Sequence, residues 1–262
     1  MIIITSDTTI YPIQTVGKYA GTCWGSDTFD TNKNYKRGLD CINSGHGRAM
    51  EFPQVYMIIE GYSARTLRQL YTHIGGSPTR LQASTRYINY DNFSYTTPPS
   101  VLKDPQAKDR YDQIMYQISE AYKDLEAWDI PKEDCGLILP LGMESKMVFR
   151  TNLRQLVDMS HERLCSRTYW EFRLLMKDLM QALSEYSEEW AYLVENYFKP
   201  KCEVYGYCTE KFTCGRMPRK KDLAQEKQEK EVIATVEPVA KTPGFMESLR
   251  KLVRKLVRSY LT

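Results

Sequence analysis

Residues 151–171 read TNLRQLVDMSHERLCSRTYWE, and the pattern of this stretch decides the fold. Apolar residues at spacings of three and four predict one helix over about 150–164 and a second over about 168–198. Thr168, with Glu171 three residues later, is a capping-box signature for the start of the second helix. That helix carries an apolar stripe that we interpret as core packing: Met176, Leu179, Leu183, Tyr186, Trp190, Leu193 and Tyr197.

Two polar residues of the first predicted helix fall where apolar ones are expected. Asn152 and Arg163 are eleven positions apart, so at about 100° per residue they end within about 20° of each other. They share that face with Leu156 and Met159 and should therefore point toward the buried side. A buried guanidinium or amide needs hydrogen-bond partners or an anion. An internal salt bridge or a helix cap would satisfy this need, and so would a polar pocket lined by the helix.

A second polar cluster lies upstream, where Ser84 and Arg86 follow a Gly-Gly-Ser-Pro turn at 75–78. Arg80 lies between this turn and Ser84. Hydroxyls, turn amides and guanidinium groups can together hold a phosphate, since arginine supplies fork-shaped donors. The alternative for Arg86 is a strand-edge arginine in a surface ion pair. Both interpretations stay open from these residues alone.

The rest of the chain supplies shorter elements. The first fifty residues mix Gly, Asn, Asp and Lys with short apolar runs, which predicts strands and loops without a long helix. A β-branched run at 55–60 predicts a buried strand, and apolar spacings at 64–74 predict a helix. Asn, Ser, Thr and Pro at 90–105 indicate a loop, and 108–128 reads as an amphipathic helix.

Composition excludes several classes of protein. With 262 residues, of which 42% are hydrophobic, the chain can bury a substantial core. The net charge of +3, from 36 basic and 33 acidic residues, gives no reason to expect a nucleic-acid partner. No segment approaches the ~20 apolar residues that cross a bilayer, and the N-terminus does not resemble a signal peptide. We therefore expect a cytoplasmic protein whose 7 cysteines are reduced.

The C-terminal part changes character. We predict a globular domain over 1–216, a charged flexible linker over 217–243 and a basic amphipathic helix over 244–262. This last helix could lie on an anionic membrane surface, dock on a partner protein or pack on its own oligomer. Its apolar face consists of Phe245, Leu249, Leu252, Val253, Leu256, Val257 and Tyr260.

Three cysteines recur at intervals of six: Cys202, Cys208 and Cys214. With Cys23 or Cys41 as a fourth donor they could hold zinc, although the spacing lacks the paired Cys-x-x-Cys of common zinc sites. Loop thiols with packing roles are the alternative, so no firm metal site is predicted.

The two polar blocks together resemble the flavin-dependent thymidylate synthases. Upstream, Gly45-His46 with Glu51, and Arg68-Gln69 before His73, resemble the corresponding family segments, so that the resemblance covers about 20–200. The family pattern is matched in order and spacing by Ser84-Thr85-Arg86-Tyr87, Leu139-Pro140-Leu141, Asn152-Leu153-Arg154-Gln155-Leu156, Arg163 and Trp170-Glu171.

The resemblance implies an enzyme, a methyltransferase that makes dTMP from dUMP. FAD would be its cofactor, with NADPH and methylene-tetrahydrofolate as cosubstrates. The implied structure is an α+β fold, a twisted and mostly antiparallel sheet flanked by long helices, assembled as a homotetramer in which several subunits build each active site. The same fold could also serve a flavin enzyme that modifies another pyrimidine nucleotide, or a non-catalytic nucleotide-binding scaffold.

The nucleotide site follows from the matched positions. By resemblance, Ser84 and Arg86 would hold the phosphate of dUMP and Gln69 would contact the nucleotide. Arg163 would be the catalytic residue that grips and polarises the uracil. A fixed cation in a dry site suits negative charge that develops on a uracil oxygen.

The flavin site departs from the family. Thr72-His73-Ile74 stands where the family has Arg-His-Arg, so His73 is kept and both arginines are lost. By resemblance, the FAD-binding residues would be His73, Arg80, Asn152, Asp158 and Arg167, where Arg80 restores one positive charge and the last two replace other family residues. His46 would lie at the approach of folate or NADPH.

Overall fold

The computed structural model describes residues 1–75, 78–236, 247 and 250–255. It divides the chain into two compact units, Met1–Leu164 with Thr168–Lys199, and Cys165–Arg167 with Pro200–Thr262. The first unit ends at Lys199, and the domain boundary at 216 stays a prediction. Pro200 begins a cysteine-containing segment of the second unit.

A four-stranded antiparallel sheet organises the first unit, in the order β1-β2-β4-β3. Its strands are β1 (Ile2–Ile4), β2 (Gln54–Ser63), β3 (Thr79–Gln82) and β4 (Glu144–Asn152). Alternate side chains of β2 and β4 are buried, so one face of the sheet supports the core. The predicted α+β class and the antiparallel sheet are confirmed.

The helices of the first unit bracket these strands in sequence. They are α1 (Pro12–Cys23), α2 (Thr31–Asn43), α3 (Ala64–Leu70), α4 (Pro99–Leu102), α5 (Pro105–Ala127), α6 (Lys132–Cys135), α7 (Leu153–Arg163), α8 (Trp170–Tyr186) and α9 (Glu188–Tyr197). Short 3-10 turns occupy Ala49–Glu51 and Gly136–Ile138. The helix predicted over 108–128 is confirmed as α5, and the helix predicted over 64–74 ends earlier, at Leu70.

The prediction of no long helix in the first fifty residues is wrong. Helices α1 and α2 pack closely, and a Cβ on Gly17 would lie 1.8 Å from the carbonyl oxygen of Asn34. A Cβ on Gly38 would lie 2.0 Å from the carbonyl oxygen of Ile13. These glycines therefore permit close approach of two helix backbones, although in sequence they suggest turns.

The helix predicted from 150 begins instead at Leu153, because β4 continues through Asn152. Asn152 is the N-cap of α7, and its side chain accepts a hydrogen bond of 2.9 Å from the backbone N–H of Gln155. The helix predicted over 168–198 is divided into α8 and α9 at Ser187, whose hydroxyl caps α9 by accepting from Trp190 N–H. Its apolar stripe packs in the core, as predicted.

The capping box at Thr168 and Glu171 is also wrong. The N-cap of α8 is Tyr169, with no side-chain cap bond. Thr168 Oγ1 donates to the carbonyl of Glu162, and Glu171 is only 2% exposed and faces β2 and α3. The carboxylate of Glu171 therefore makes tertiary hydrogen bonds and does not cap the N-terminus of α8.

The second unit contains α10 (Lys201–Tyr205) and α11 (Lys220–Val236). Most of the predicted flexible linker is therefore helical, since Lys, Glu, Gln and Ala favour helices when solvent-exposed, and 237–243 lies outside the described residues. Of the helix predicted over 244–262, only Glu247 and 250–255 are described, and they are helical. Across the described chain, no helix is both long and apolar enough to span a bilayer.

Candidate active site

Arg163, the last residue of α7, is held by the turn that follows α3. Its Nε donates to His73 Nε2 at 2.8 Å, and its Nη2 donates to Thr72 Oγ1 at 3.1 Å. The centre of its guanidinium lies 4.7 Å from the ring centroid of Phe172 on α8, within range of a cation–π interaction. Arg163 is thus half-buried and bound to two neutral acceptors.

This contact sets the protonation state of His73. Burial, followed by the charges of Arg163 and Arg80, lowers the pKa of His73 to about 4. An arginine can only donate, so His73 Nε2 must be the unprotonated nitrogen and Nδ1 carries the proton. Burial also lowers the pKa of Arg163. A neutral imidazole therefore orients the cation without cancelling its charge.

Arg80, on β3, braces the same turn from the other side. Its Nη2 donates to the carbonyl of Leu70 at 2.8 Å and makes a short bond to the carbonyl of His73. The guanidinium centre lies 5.1 Å from the ring of Tyr71 and 5.4 Å from that of Phe149. Its Nε is buried and has no hydrogen-bond partner among the described residues.

A cavity of about 260 Å³ opens at the N-cap and first turns of α7. Its walls combine guanidinium, amide and carboxylate groups with a glycine: Glu51, Gly75, Asn152, Arg154, Gln155 and Asp158. A Cβ on Gly75 would lie 2.4 Å from Gln155 Oε1, so this wall requires glycine or a displaced Gln155. The volume is below the ~300–1,000 Å³ of complete small-molecule sites. The cavity is therefore smaller than a complete dinucleotide site, and its walls present both donors and acceptors.

Arg86 lies on the surface of the described chain. Its Nε is 2.8 Å from Glu133 Oε2, with the two side chains 62% and 54% exposed. Ser84 Oγ accepts from the backbone N–H of Arg86 at 3.1 Å. This is the surface ion pair that the sequence left open as an alternative to a phosphate cradle. An exposed pair of this kind contributes little, about 0–1 kcal/mol, so an anion could replace Glu133 at small cost.

The remaining predicted residues are distributed around these features. Gln69 lies partly exposed on α3, and Asp158 is exposed at the cavity. His46 is exposed after α2, and a Cβ on the adjacent Gly47 would lie 3.1 Å from Arg154, a cavity residue.

Arg167 belongs to the second unit. There its Nε lies 3.5 Å from Glu210, and its Nη1 donates to the carbonyl of Phe212 at 3.4 Å. The structure therefore gives Arg167 partners within the second unit.

The zinc interpretation receives no support. Cys208 is buried, Cys202 is partly buried and Cys214 is exposed. Within the described ranges, no three His, Cys, Asp or Glu side chains come together as metal ligands. Burial raises the pKa of Cys202, which favours a packed neutral thiol over a thiolate ligand.

Thr72 and Phe172 complete the Arg163 site, and the sequence analysis missed both. Thr72 was considered only as a departure from the family pattern, yet its hydroxyl accepts from Arg163. Phe172 follows Glu171 directly, and an aromatic one residue beyond a conspicuous motif carries no signal of its own. Gln155 and Arg154 were quoted as part of a motif without a role, and both line the cavity.

Comparison with known proteins bears on the family of the chain. A family model described as "Thymidylate synthase complementing protein" matches residues 7–187. The chain is 32% identical over 192 residues to a flavin-dependent thymidylate synthase of Nitratidesulfovibrio vulgaris, covering 70% of this chain and 76% of that protein. It is 30% identical over 200 residues to the Pyrococcus abyssi protein of the same name, covering 72% and 79%.

A solved structure shares the fold. Thymidylate synthase X of Helicobacter pylori, determined with FAD and dUMP, superposes with a TM-score of 0.59 at 18% identity, covering 76% of this chain and 99% of that one. The matched residues 7–187 include every predicted nucleotide and flavin residue from His46 to Arg167. The match ends before Pro200, where the second segment of the second unit begins.

Proposed function

We propose the following chemistry from the premise that this chain belongs to the flavin-dependent thymidylate synthase family. The enzyme converts dUMP to dTMP by reductive methylation, with FAD as cofactor and methylene-tetrahydrofolate and NADPH as cosubstrates. The observation that carries the assignment of the site is the half-buried Arg163, bound to His73 and Thr72 through neutral acceptors.

Arg163 is the catalytic residue of this proposal. Two of its five N–H donors are engaged within the described residues, which leaves donors to face a substrate oxygen. When a methylene group is transferred to C5 of uracil, negative charge develops on a uracil oxygen, and a fixed guanidinium stabilises that charge. Since His73 and Thr72 are uncharged, the full positive charge of Arg163 is available to the substrate.

The flavin is held by residues of the same neighbourhood. His73 and Arg80 lie at the turn after α3, and Asn152 and Asp158 line the cavity. Arg80 would supply the positive charge that Thr72 and Ile74 lack. Bound FAD, reduced by NADPH, supplies hydride to the reaction. Arg167 retains its proposed flavin contact from the family pattern alone, and His46 its place at the folate or NADPH approach.

The nucleotide phosphate is assigned to Ser84 and Arg86, and Gln69 to a further contact with dUMP. Arg86 would exchange Glu133 for the phosphate, because a charge-assisted bond to a dianion is stronger than an exposed ion pair. The ion pair in the free chain then keeps the guanidinium extended near the surface until the nucleotide arrives.

A homotetramer is part of the proposal. Leu81 on β3 and Val148 on β4 are paired in register and are 70% and 43% exposed, on the sheet face opposite the core. Such apolar side chains favour burial against another subunit. Light scattering of the purified protein measures the assembly directly, and a monomer would contradict this part.

The first experiment tests the flavin and the reaction separately. The purified protein should be yellow and should release tritium from C5-labelled dUMP when methylene-tetrahydrofolate and NADPH are present. A colourless protein that binds no added FAD would point to a non-catalytic scaffold. Bound flavin without tritium release from dUMP would point to another pyrimidine nucleotide as substrate.

Arg163→Ala tests the assigned catalytic role. Loss of a cation at the developing charge should lower the rate by about 100-fold or more while the fold is kept. Arg65→Ala is the matched control, because Arg65 also stacks on an aromatic ring, 4.8 Å from the centroid of Tyr169, without bonding His73. Near-normal turnover by Arg163→Ala would refute the role.

A further inference from the structure

Glu171 is a buried carboxylate without a function in the chemistry described so far. It is 2% exposed, and it accepts from the backbone N–H of Ser63 at 2.6 Å and from Thr66 Oγ1 at 2.7 Å. The hydroxyls of Ser63 and Thr96 also donate to it. Burying an unpaired charge costs several kcal/mol unless hydrogen bonds compensate, so this set of donors must be maintained.

The described partners of Glu171 are all neutral, and two of them lie at the start of α3. Ser63 is the N-cap of α3, and Thr66 is its third residue. A carboxylate at a helix N-terminus is also favoured by the helix dipole. Glu171 therefore fixes the first turn of α3 to α8, across more than a hundred residues of sequence.

The next residue of α8 contacts the turn that follows α3. The Phe172 ring lies 4.7 Å from the guanidinium centre of Arg163 and 5.9 Å from the ring of His73, three residues beyond the end of α3. Two consecutive side chains thus contact the start of α3 and the turn that follows it. That helix carries Gln69 and leads directly into Thr72 and His73.

We propose that Glu171 is a positioning residue for the active site: by fixing the first turn of α3, it sets the places of Gln69 and His73, and through His73 that of Arg163. This inference rests on the proposed function for its catalytic consequence. The structural consequence, that Glu171 fixes the position of α3, is independent of the proposed function.

The chain offers a matched control in Glu189. This carboxylate is 7% exposed and caps α1 in the same way, accepting from the backbone N–H of Ile13 at 2.7 Å and of Gln14 at 3.2 Å. It belongs to no proposed binding site. Glu171→Gln and Glu189→Gln each remove one buried charge at one helix N-terminus and preserve side-chain shape.

The experiment compares the two variants as full-length, flavin-loaded enzyme. In Glu171→Gln, kcat should fall by roughly 10- to 100-fold, since small displacements of catalytic groups cost that much, and the KM for dUMP should rise because Gln69 moves. The absorption band of bound flavin should shift as well. Glu189→Gln should show neither change, even where its melting temperature falls equally.

Amide hydrogen exchange supplies a readout independent of activity. Glu171→Gln should increase exchange in the backbone of α3 and of residues 71–73, and Glu189→Gln should increase it in α1 only. Unchanged exchange in α3, or equal losses of activity in both variants, would overturn the proposal. If the wild-type enzyme makes no dTMP, the proposed function fails, and exchange still decides whether Glu171 positions α3.

Discussion

Protonation of His73 should destabilise the fold as the pH falls. The pKa of His73 is lowered to about 4 in the folded chain, chiefly by burial and then by Arg163, against about 6.5 for an exposed histidine. Between these values the unfolded chain binds more protons than the folded chain, so the free energy of unfolding rises with pH. Stability should therefore be lost as the pH falls from about 6.5 toward 4.

The magnitude follows from the two pKa values. Linkage between about 4 and 6.5 gives a loss of about 2 kcal/mol at pH 5 relative to pH 7.5. His73 is only partly buried, and solvent screening reduces the effect, so about 1 kcal/mol is the value that we expect to measure. Protonation also removes the acceptor of Arg163 Nε at His73 Nε2, a cost that the lowered pKa already contains.

Urea unfolding at about pH 7.5 and pH 5 measures this effect by the change in unfolding free energy. Other groups also titrate in this range, so the wild type must be compared with His73→Gln, which keeps an acceptor for Arg163 and cannot be protonated. The variant should lose about 1 kcal/mol less than the wild type between the two conditions. His46→Gln, at an exposed histidine, is the control and should follow the wild type.

Parallel pH profiles for the wild type and His73→Gln would refute the reasoning. They would mean that His73 titrates alike in both states, and hence that the folded chain does not hold it as a neutral acceptor. A pH dependence of stability that is reduced in His46→Gln but not in His73→Gln would refute it equally.

Three further substitutions test the cavity and the phosphate site. Gly75→Ala should weaken FAD binding by roughly tenfold in a fluorescence titration, with little change in melting temperature. The reason is that its Cβ would lie 2.4 Å from the flexible end of Gln155. Unchanged affinity would show that this cavity wall does not contact the flavin. Arg86→Ala should raise the KM for dUMP by about 10-fold or more with kcat nearly constant. Glu133→Ala should leave the KM for dUMP equal or lower. A rise of KM in both variants would contradict the proposed exchange of partners.

The sequence predicts one central strand and several core helices because burial repeats with the period of each element, whereas the sheet as a whole is predicted from the family resemblance. The run at 55–60 lies inside β2, where Val55, Met57 and Ile59 are fully buried. The register of the four strands and their order could not be predicted, since these depend on pairing between segments distant in the chain. The same holds for α1 and α2, where Gly17 and Gly38 act through a neighbouring helix.

Arg163 shows how far local reasoning reaches into the site. Helical phase placed it on the same side as Asn152 and required partners for a buried cation. Asn152 turned out to be the helix cap that the sequence offered as an alternative, and Arg163 found its acceptors in the turn after α3. Phase predicts which side a residue faces, but it contains no information on what the other segment presents there.

Glu171 adds the reason why this limit matters for function. Its spacing from Thr168 satisfies a local rule for capping α8, yet its carboxylate serves the N-terminus of α3. The N-termini of α8 and α3 both offer backbone N–H groups to an acidic side chain. Glu171 binds at α3 because the hydroxyls of Ser63, Thr66 and Thr96 also donate to it there. A residue conspicuous in sequence for one helix can thus position the active site through another, and only the fold decides between the two.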